Sequence, residues 1–170
     1  SSNAYNGYTL FAAMGKTYLI DMEGHVINQW NIGTNPRLLD NGDLLDASKA
    51  DPSGFSGFIE LSWTGSTIWT YTETRSTYFP HHDWTRIFNK KLNAYTTLYI
   101  ANKTVTKDQA LAAGANPTSS SYTDITVDAI VEVDMSGNIV WEWWFFDHII
   151  QDYDATKLNY VGSGKTIADY

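Results

Sequence analysis

Residues 131–143, VEVDMSGNIVWEW, have the pattern from which the fold can be predicted. Apolar and polar residues largely alternate on both sides of its Ser-Gly pair, which is the pattern of a half-buried hairpin with a tight turn. The same pattern occurs in YLIDMEGHVINQW at 18–30 and in IELSWTGSTIWTY at 59–71. When the three glycines are aligned, the residues four before and three after each glycine are apolar, and an aromatic residue stands six after it (Trp30, Tyr71 and Trp143). We therefore predict three equivalent β-hairpins, each with a positive-φ glycine in its turn.

A second hairpin is predicted between successive repeats. Arg37–Asp46 has an Asn-Gly turn, and Arg86–Asn89 with Thr97–Ala101 has the same form, its turn lengthened by Lys90–Tyr95. Two hairpins make the four strands of a propeller blade, and the spacing of 41 residues between the first two repeat glycines fits a blade repeat. We expect an all-β fold of β-propeller-type four-stranded blades, forming an incomplete ring of about three blades. A β-sandwich, which also has regular short strands, is the alternative.

The predicted blades span residues 5–150. The wider spacing before the third glycine is assigned to the longer turn and to a Thr/Ser/Ala/Asn-rich inserted loop at 102–124, in which Lys107–Ala113 has the pattern of a short helix. Residues 151–170 are predicted to begin a further blade or to form a tail. Residues 1–4, SSNA, resemble the remnant of an expression tag.

Composition excludes several functional classes. The 170 residues include no cysteine, which removes disulfides, thiolate zinc ligands and thiol nucleophiles together. The net charge is −8 with no cationic cluster longer than Lys90-Lys91, so nucleic acid is not an expected partner. No run approaches the roughly 20 apolar residues that a membrane span needs.

The candidate site is YFPHHDW at 78–84. It is predicted to lie where one blade passes to the inner strand of the next, a connection that ends at the central channel of a propeller. In an extended chain neighbouring side chains alternate, so His82 would share one face with Trp84, and His81 the other face with Asp83. The alternative is that the paired histidines only cap a strand.

His148 occupies the corresponding connection one blade later. Two histidines at equivalent connections would converge on one axis, which favours a functional role. Imidazole and carboxylate groups are ordinary metal ligands, so His82, Asp83 and His148 could in principle bind a metal. The sequence has no helical zinc-ligand spacing, and we predict no metal site.

Three motifs resemble bacterial arylsulfotransferases: the strand YTL at 8–10 leading to YLID at 18–21, FPHHD at 79–83, and WEW at 141–143 followed by Asp147-His148. The resemblance runs from about Tyr5 to Ile150. It implies a six-bladed propeller exported to the periplasm or outside the bacterial cell. It also implies an enzyme that needs no cofactor and moves a sulfuryl group from a phenolic sulfate ester to a phenol acceptor through a sulfohistidine.

The resemblance also implies roles for single residues. His82 would stabilise the sulfuryl oxygens and the departing phenolate, with His81 and Asp83 beside it and His148 as a weaker candidate. Tyr78 and Trp84 are the candidate substrate-binding residues. The family's His-x-Asn-Ser segment, its following Ser-x-Arg and its late nucleophilic histidine are absent from this sequence. We therefore expect a fragment or truncated relative of the enzyme, inactive alone.

Two other functions are open. One is a non-catalytic propeller that serves as a binding or interaction scaffold. The other is a quinoprotein-like propeller, because Gly65-x-x-x-Trp69 and Gly137-x-x-x-Trp141 resemble the docking motif of those enzymes. An incomplete ring would also leave apolar faces uncovered, carrying residues such as Ile68, Trp69, Val140 and Trp141, so we predict a homo-oligomer in which two copies pack face to face.

Overall fold

Three antiparallel sheets make up most of the computed structural model, which describes residues 5–49, 55–116 and 124–164. Sheet 1 has the order β1 (Thr9–Ala13), β2 (Lys16–Ile20), β3 (Val26–Trp30). Sheet 2 has the order β4 (Arg37–Leu38), β5 (Leu44–Lys49), β6 (Phe55–Leu61), β7 (Thr67–Thr72). Sheet 3 has the order β11 (Ile139–Trp144), β10 (Ile125–Asp134), β9 (Ala94–Val105), β8 (Tyr78–Asn89). The all-β prediction is confirmed, and among the described residues sheet 1 has three strands where four were expected.

The predicted repeat hairpins are β2–β3, β6–β7 and β10–β11, and they are built alike. In each, the strand register shifts by one residue next to the turn, at Leu19/Ile20, Glu60/Leu61 and Glu132/Val133. The turn glycines have φ of 86°, 86° and 84° at Gly24, Gly65 and Gly137. Trp30, Tyr71 and Trp143 all lie on the last strand of their sheets. The threefold repeat of hairpins is confirmed.

A side-chain contact closes each of these turns in the same way. The acceptor is the side-chain oxygen of the residue three positions before the glycine. The donor is the backbone N–H of the residue that directly follows the glycine. The distances are 2.8 Å for Asp21 with His25, 3.0 Å for Ser62 with Ser66, and 2.8 Å for Asp134 with Asn138. Short polar side chains form such local bonds readily, which explains why Asp or Ser recurs at this position.

The second hairpins differ from the prediction in length. The turn between β8 and β9 is only Lys90–Asn93, because Ala94 and Tyr95 already pair with Asn89 and Phe88. Pairing continues to Tyr78 and Lys103, so the insertion begins at Thr106 and not at residue 102. The short helix was correctly predicted: α1 (Lys107–Ala112) starts at a capping box of Thr106 and Gln109.

The chain forms two compact units, Ser1–Thr74 with Met135–Gly137, and Arg75–Asp134 with Asn138–Tyr170. In the first unit, sheets 1 and 2 share an apolar cluster of Leu19, Trp30, Leu44 and Leu61. In the second unit, Ala110 of α1 packs with Val105 and Val127 of sheet 3.

Side-chain N–H groups in the first unit bond to the turn of the following repeat hairpin. Asn28 Nδ2 donates to the Trp63 carbonyl at 2.7 Å, and Trp30 Nε1 to the Ser62 carbonyl at 2.9 Å. Trp69 Nε1 donates to the carbonyl of Met135, which groups with this unit, at 2.9 Å. Trp69 is therefore buried, and the prediction that it lies on an uncovered face is wrong.

The segment after sheet 3 consists of a 3₁₀ helix, Phe145–His148, followed by turns organised around Gln151. The predicted tag remnant at 1–4, residues 117–123 of the insertion and residues 165–170 lie outside the described residues. No helix within the described ranges has the length and apolar character needed to cross a membrane.

Candidate functional site

The predicted His-His-Asp site is a bulge inside edge strand β8. Pro80 pairs with Ala101 and Trp84 with Tyr99, so three residues of β8, His81 to Asp83, stand opposite the single residue Ile100. The site is therefore part of a strand. The prediction that it lies in a connection between two blades is wrong. Bulges on edge strands often re-aim side chains next to functional sites.

The bulge places the two imidazoles side by side. His82 has φ of 57°, a left-handed conformation that costs a non-glycine residue about 1 kcal/mol. The predicted alternation assumed an extended chain, and it fails here because this φ interrupts the pleat. The ring centroids of His81 and His82 are 4.9 Å apart at 89°, and their Nδ1 atoms are 2.6 Å apart. A hydrogen bond between two imidazole nitrogens requires a proton on one of them and a lone pair on the other.

A carboxylate of a different strand flanks this pair. Asp128 of β10 lies with Oδ1 3.3 Å from His81 Nε2, while the His81 side chain is 19% exposed. The two groups are not aligned for a hydrogen bond, so the contact is an ion pair when His81 is protonated. Asp83, the carboxylate of the predicted motif, accepts a hydrogen bond from the Trp84 backbone N–H at 2.9 Å. Asp128 could not be predicted from the sequence, because only the register of β8, β9 and β10 brings it close to His81.

Tyr78 and Trp84, the candidate substrate-binding residues, are buried, whereas His82 beside them in the motif is exposed. Asp128, which lies next to His81, is exposed. Its neighbours along β10, Val127 and Ala129, are buried, so Asp128 is on the opposite face of the strand from them. Trp84 is 3% and Tyr78 8% exposed, so both lie within the interior. Their role as substrate-binding residues stays a prediction.

Tyr78 instead takes part in a polar cluster that sequence reasoning missed. The Glu142 carboxylate accepts hydrogen bonds from the Tyr78 hydroxyl, from Arg75 Nη1 at 2.7 Å and from Lys103 Nζ at 3.1 Å. The Arg75 guanidinium also lies 3.6 Å from the centre of the Tyr78 ring. Strands β8, β9 and β11 and the segment just before β8 are joined at this carboxylate.

The cluster fixes the protonation states of its members. Burial opposes ionisation of Glu142, but hydrogen bonds from Tyr78, Arg75 and Lys103 outweigh it and hold its pKa below the ordinary value. Burial and the bond to Glu142 raise the pKa of Tyr78. Burial alone would lower the pKa of Lys103, but its bonds to Tyr78 and Glu142 raise it. The cluster is therefore one anion held by two cations and a neutral phenol at pH 7.

His148 lies at the end of the 3₁₀ helix that follows β11. Its ring stacks on Trp143 with centroids 4.6 Å apart at 8°. No group of three or more His, Cys, Asp or Glu side chains is placed to hold a metal ion within residues 5–49, 55–116 and 124–164. His82, Asp83 and His148 consequently form no such group.

Comparison of the chain with protein-family models, curated proteins and solved structures gave no match.

Proposed function

We propose that this chain is a fragment or truncated relative of a nucleotide-independent arylsulfotransferase, in which His82 and His81 bind the transferred sulfuryl group. Its three sheets would be successive blades of a propeller, which their equivalent last hairpins support. The observation that carries the proposal is the bonded histidine pair on a left-handed bulge at a sheet edge. By the resemblance that suggested it, the parent enzyme acts in the periplasm or outside the cell.

The geometry suggests how the pair would hold an anion. The Asp128 carboxylate favours a proton on His81 Nε2, and His81 Nδ1 then accepts the bond donated by His82 Nδ1–H. A further proton on His82 Nε2 makes this ring an imidazolium. Its charge and its N–H favour a sulfuryl oxygen and the departing phenolate, where negative charge develops as the sulfur–oxygen bond breaks.

The attacking nucleophile is not assigned to any histidine of this chain. His81 and His82 bond to each other, His148 stacks on Trp143, and His25 pairs with Asp21 at 3.0 Å. We therefore expect this chain to bind the anion without turning it over. The missing nucleophile would come from a further part of the parent enzyme.

The test combines activity and binding on the purified chain. With p-nitrophenyl sulfate as donor and phenol as acceptor we expect no transfer, but measurable binding of the donor. His82→Ala should weaken that binding about tenfold or more, since it removes a charge-assisted hydrogen bond. His25→Ala is the matched control, because its imidazole is 77% exposed and pairs with an aspartate of a turn. Transfer that His82→Ala abolishes would contradict the fragment, and unchanged binding in His82→Ala would contradict the anion site.

A non-catalytic binding scaffold is the second candidate. It is favoured by the exposed aromatic side chains on sheet 3, Phe79 at 53% and Trp141 at 46%. Such a scaffold would not need His82 for binding, so the affinity of the His82→Ala variant for the donor separates the two functions.

A further inference from the structure

One contact repeats between successive hairpins of the chain. Its donor is the side chain four residues after a repeat glycine, and its acceptor is the carbonyl two residues before the next repeat glycine. Asn28 and Trp63 form it first at 2.7 Å, and Trp69 and Met135 form it again at 2.9 Å. The same rule thus applies twice along the sequence, with an amide and then an indole as donor.

The first repeat hairpin has an acceptor position with no preceding hairpin in the series, and the third has a donor position with no following hairpin in the series. Trp141, four residues after Gly137, is the third donor position, and its side chain is 46% exposed. Trp69, its counterpart in sheet 2, is only 8% exposed. Met22, two residues before Gly24, is the equivalent acceptor position in sheet 1, and it is also 46% exposed.

The surface around Met22 matches the one that receives sheet 1 inside the chain. Leu61 and Ile59, four and six residues before Gly65, pack against Leu19 and Trp30. The residues at these positions of sheet 1 are Ile20 and Tyr18, and the Tyr18 ring stacks on Phe11 with centroids 5.5 Å apart. Sheet 1 therefore offers a second copy the same kind of apolar surface that sheet 2 offers to sheet 1.

We propose that Trp141 of one copy docks on sheet 1 of a second copy, with its indole N–H donating to the Met22 carbonyl. The contact continues between chains the interface that sheets 1 and 2 form within one chain. Donor and acceptor surfaces are different, so the contact does not pack two like faces against each other, which is the packing expected from the sequence. We expect two copies to make it reciprocally, with Trp141 of each on sheet 1 of the other, in a dimer with a two-fold axis.

Docking would also bear on the histidine site, although it does not depend on any sulfuryl chemistry. Trp141 and Trp143 pair with Glu132 and Ile130 of β10, and Asp128 lies on the same face by the alternation of that strand. A docked sheet would therefore stand on the face that carries Asp128, the residue that flanks His81.

Sedimentation velocity over a concentration series tests the proposal. The wild-type chain should form a species of about twice its 19.1 kDa. Trp141→Ala removes the donor and Phe11→Glu puts a charge on the receiving surface, and each should weaken association about tenfold or more. An equimolar mixture of the two variants should associate more tightly than either alone, because one intact donor meets one intact acceptor.

Two controls keep the result specific. Phe88→Ala removes a sheet 3 aromatic residue of 49% exposure, and Met14→Glu charges the fully exposed turn of sheet 1; neither should change association. Circular dichroism of each variant verifies that it is folded. A wild-type chain that is monomeric at its highest soluble concentration overturns the proposal. So does a dimer that survives Phe11→Glu, or a mixture that associates no better than its components.

Discussion

Glu142→Gln is the substitution that most sharply tests the polar cluster of the second unit. Glutamine keeps the shape of the side chain but removes its charge, and its amide group places a donor where Arg75 and Lys103 also donate. Arg75 Nη1 lies 2.7 Å and Lys103 Nζ 3.1 Å from the carboxylate, and the three side chains are 30%, 20% and 23% exposed in the order Arg75, Lys103, Glu142. Arg75 and Lys103 then lose the carboxylate that both of them contact.

The size of the effect follows from these contacts. A hydrogen bond to a charged group contributes about 1.5–3 kcal/mol when buried. Partial exposure screens the charges, so we expect about 2 kcal/mol in total for the pair of cationic contacts. For a chain of this length this corresponds to a fall in Tm of about 4–8 °C. Urea unfolding at pH 7 measures the loss directly, and Glu23→Gln in an exposed turn is the control that should change nothing.

The pH dependence supplies a second readout. The pKa of Glu142 is lowered in the folded chain, so its contribution is fully present above its ordinary value of 4.5 and is lost as the pH falls through the lowered value. The stability difference between wild type and Glu142→Gln should therefore shrink below about pH 4. Equal stabilities at pH 7, or a difference that grows on acidification, would contradict a stabilising role of the charged Glu142.

Two further substitutions test the sheets themselves. Asp46 is fully buried and accepts hydrogen bonds from the backbone N–H groups of Thr34, Asn35 and Ala47 at 3.0, 2.8 and 2.7 Å. In urea unfolding, Asp46→Ala should therefore lower the free energy of unfolding by about 2–3 kcal/mol, and Asp46→Asn by less than half of that. Gly57→Ala should cost about 2 kcal/mol or more in thermal unfolding, because an added Cβ would lie 1.9 Å from the Tyr71 carbonyl oxygen and the two paired strands would have to separate; an unchanged Tm would contradict the strand pairing.

Local patterns explain why the repeat hairpins were predictable. Alternating residues around Gly24, Gly65 and Gly137 define both the strands and the turn, and these features depend only on near neighbours along the chain. The capped helix at Lys107 is local for the same reason. Strand length was less predictable, because Ala94 and Tyr95 become strand only through pairing with β8.

The candidate site depends on contacts between distant residues. The sequence identified His81 and His82 as candidates, but nothing in the local pattern signals the positive φ of His82, which accompanies three residues standing opposite one on β9. Asp128 reaches His81 only through the pairing of β8, β9 and β10. Glu142 was quoted in a motif, yet its role arises from contacts with Arg75, Tyr78 and Lys103, which are distant from it in the sequence.

The most direct test of the proposed anion site is the NMR signal of each histidine ring during a titration with phenyl sulfate. The imidazole ¹⁵N resonances of a histidine-labelled chain report protonation and hydrogen bonding of each ring. We expect the resonances of His82 and His81 to shift together and saturate, while those of His25 stay unchanged. Resonances of His82 that do not respond, or a response of His25 equal to that of His82, would contradict the claim that this pair binds a sulfuryl group.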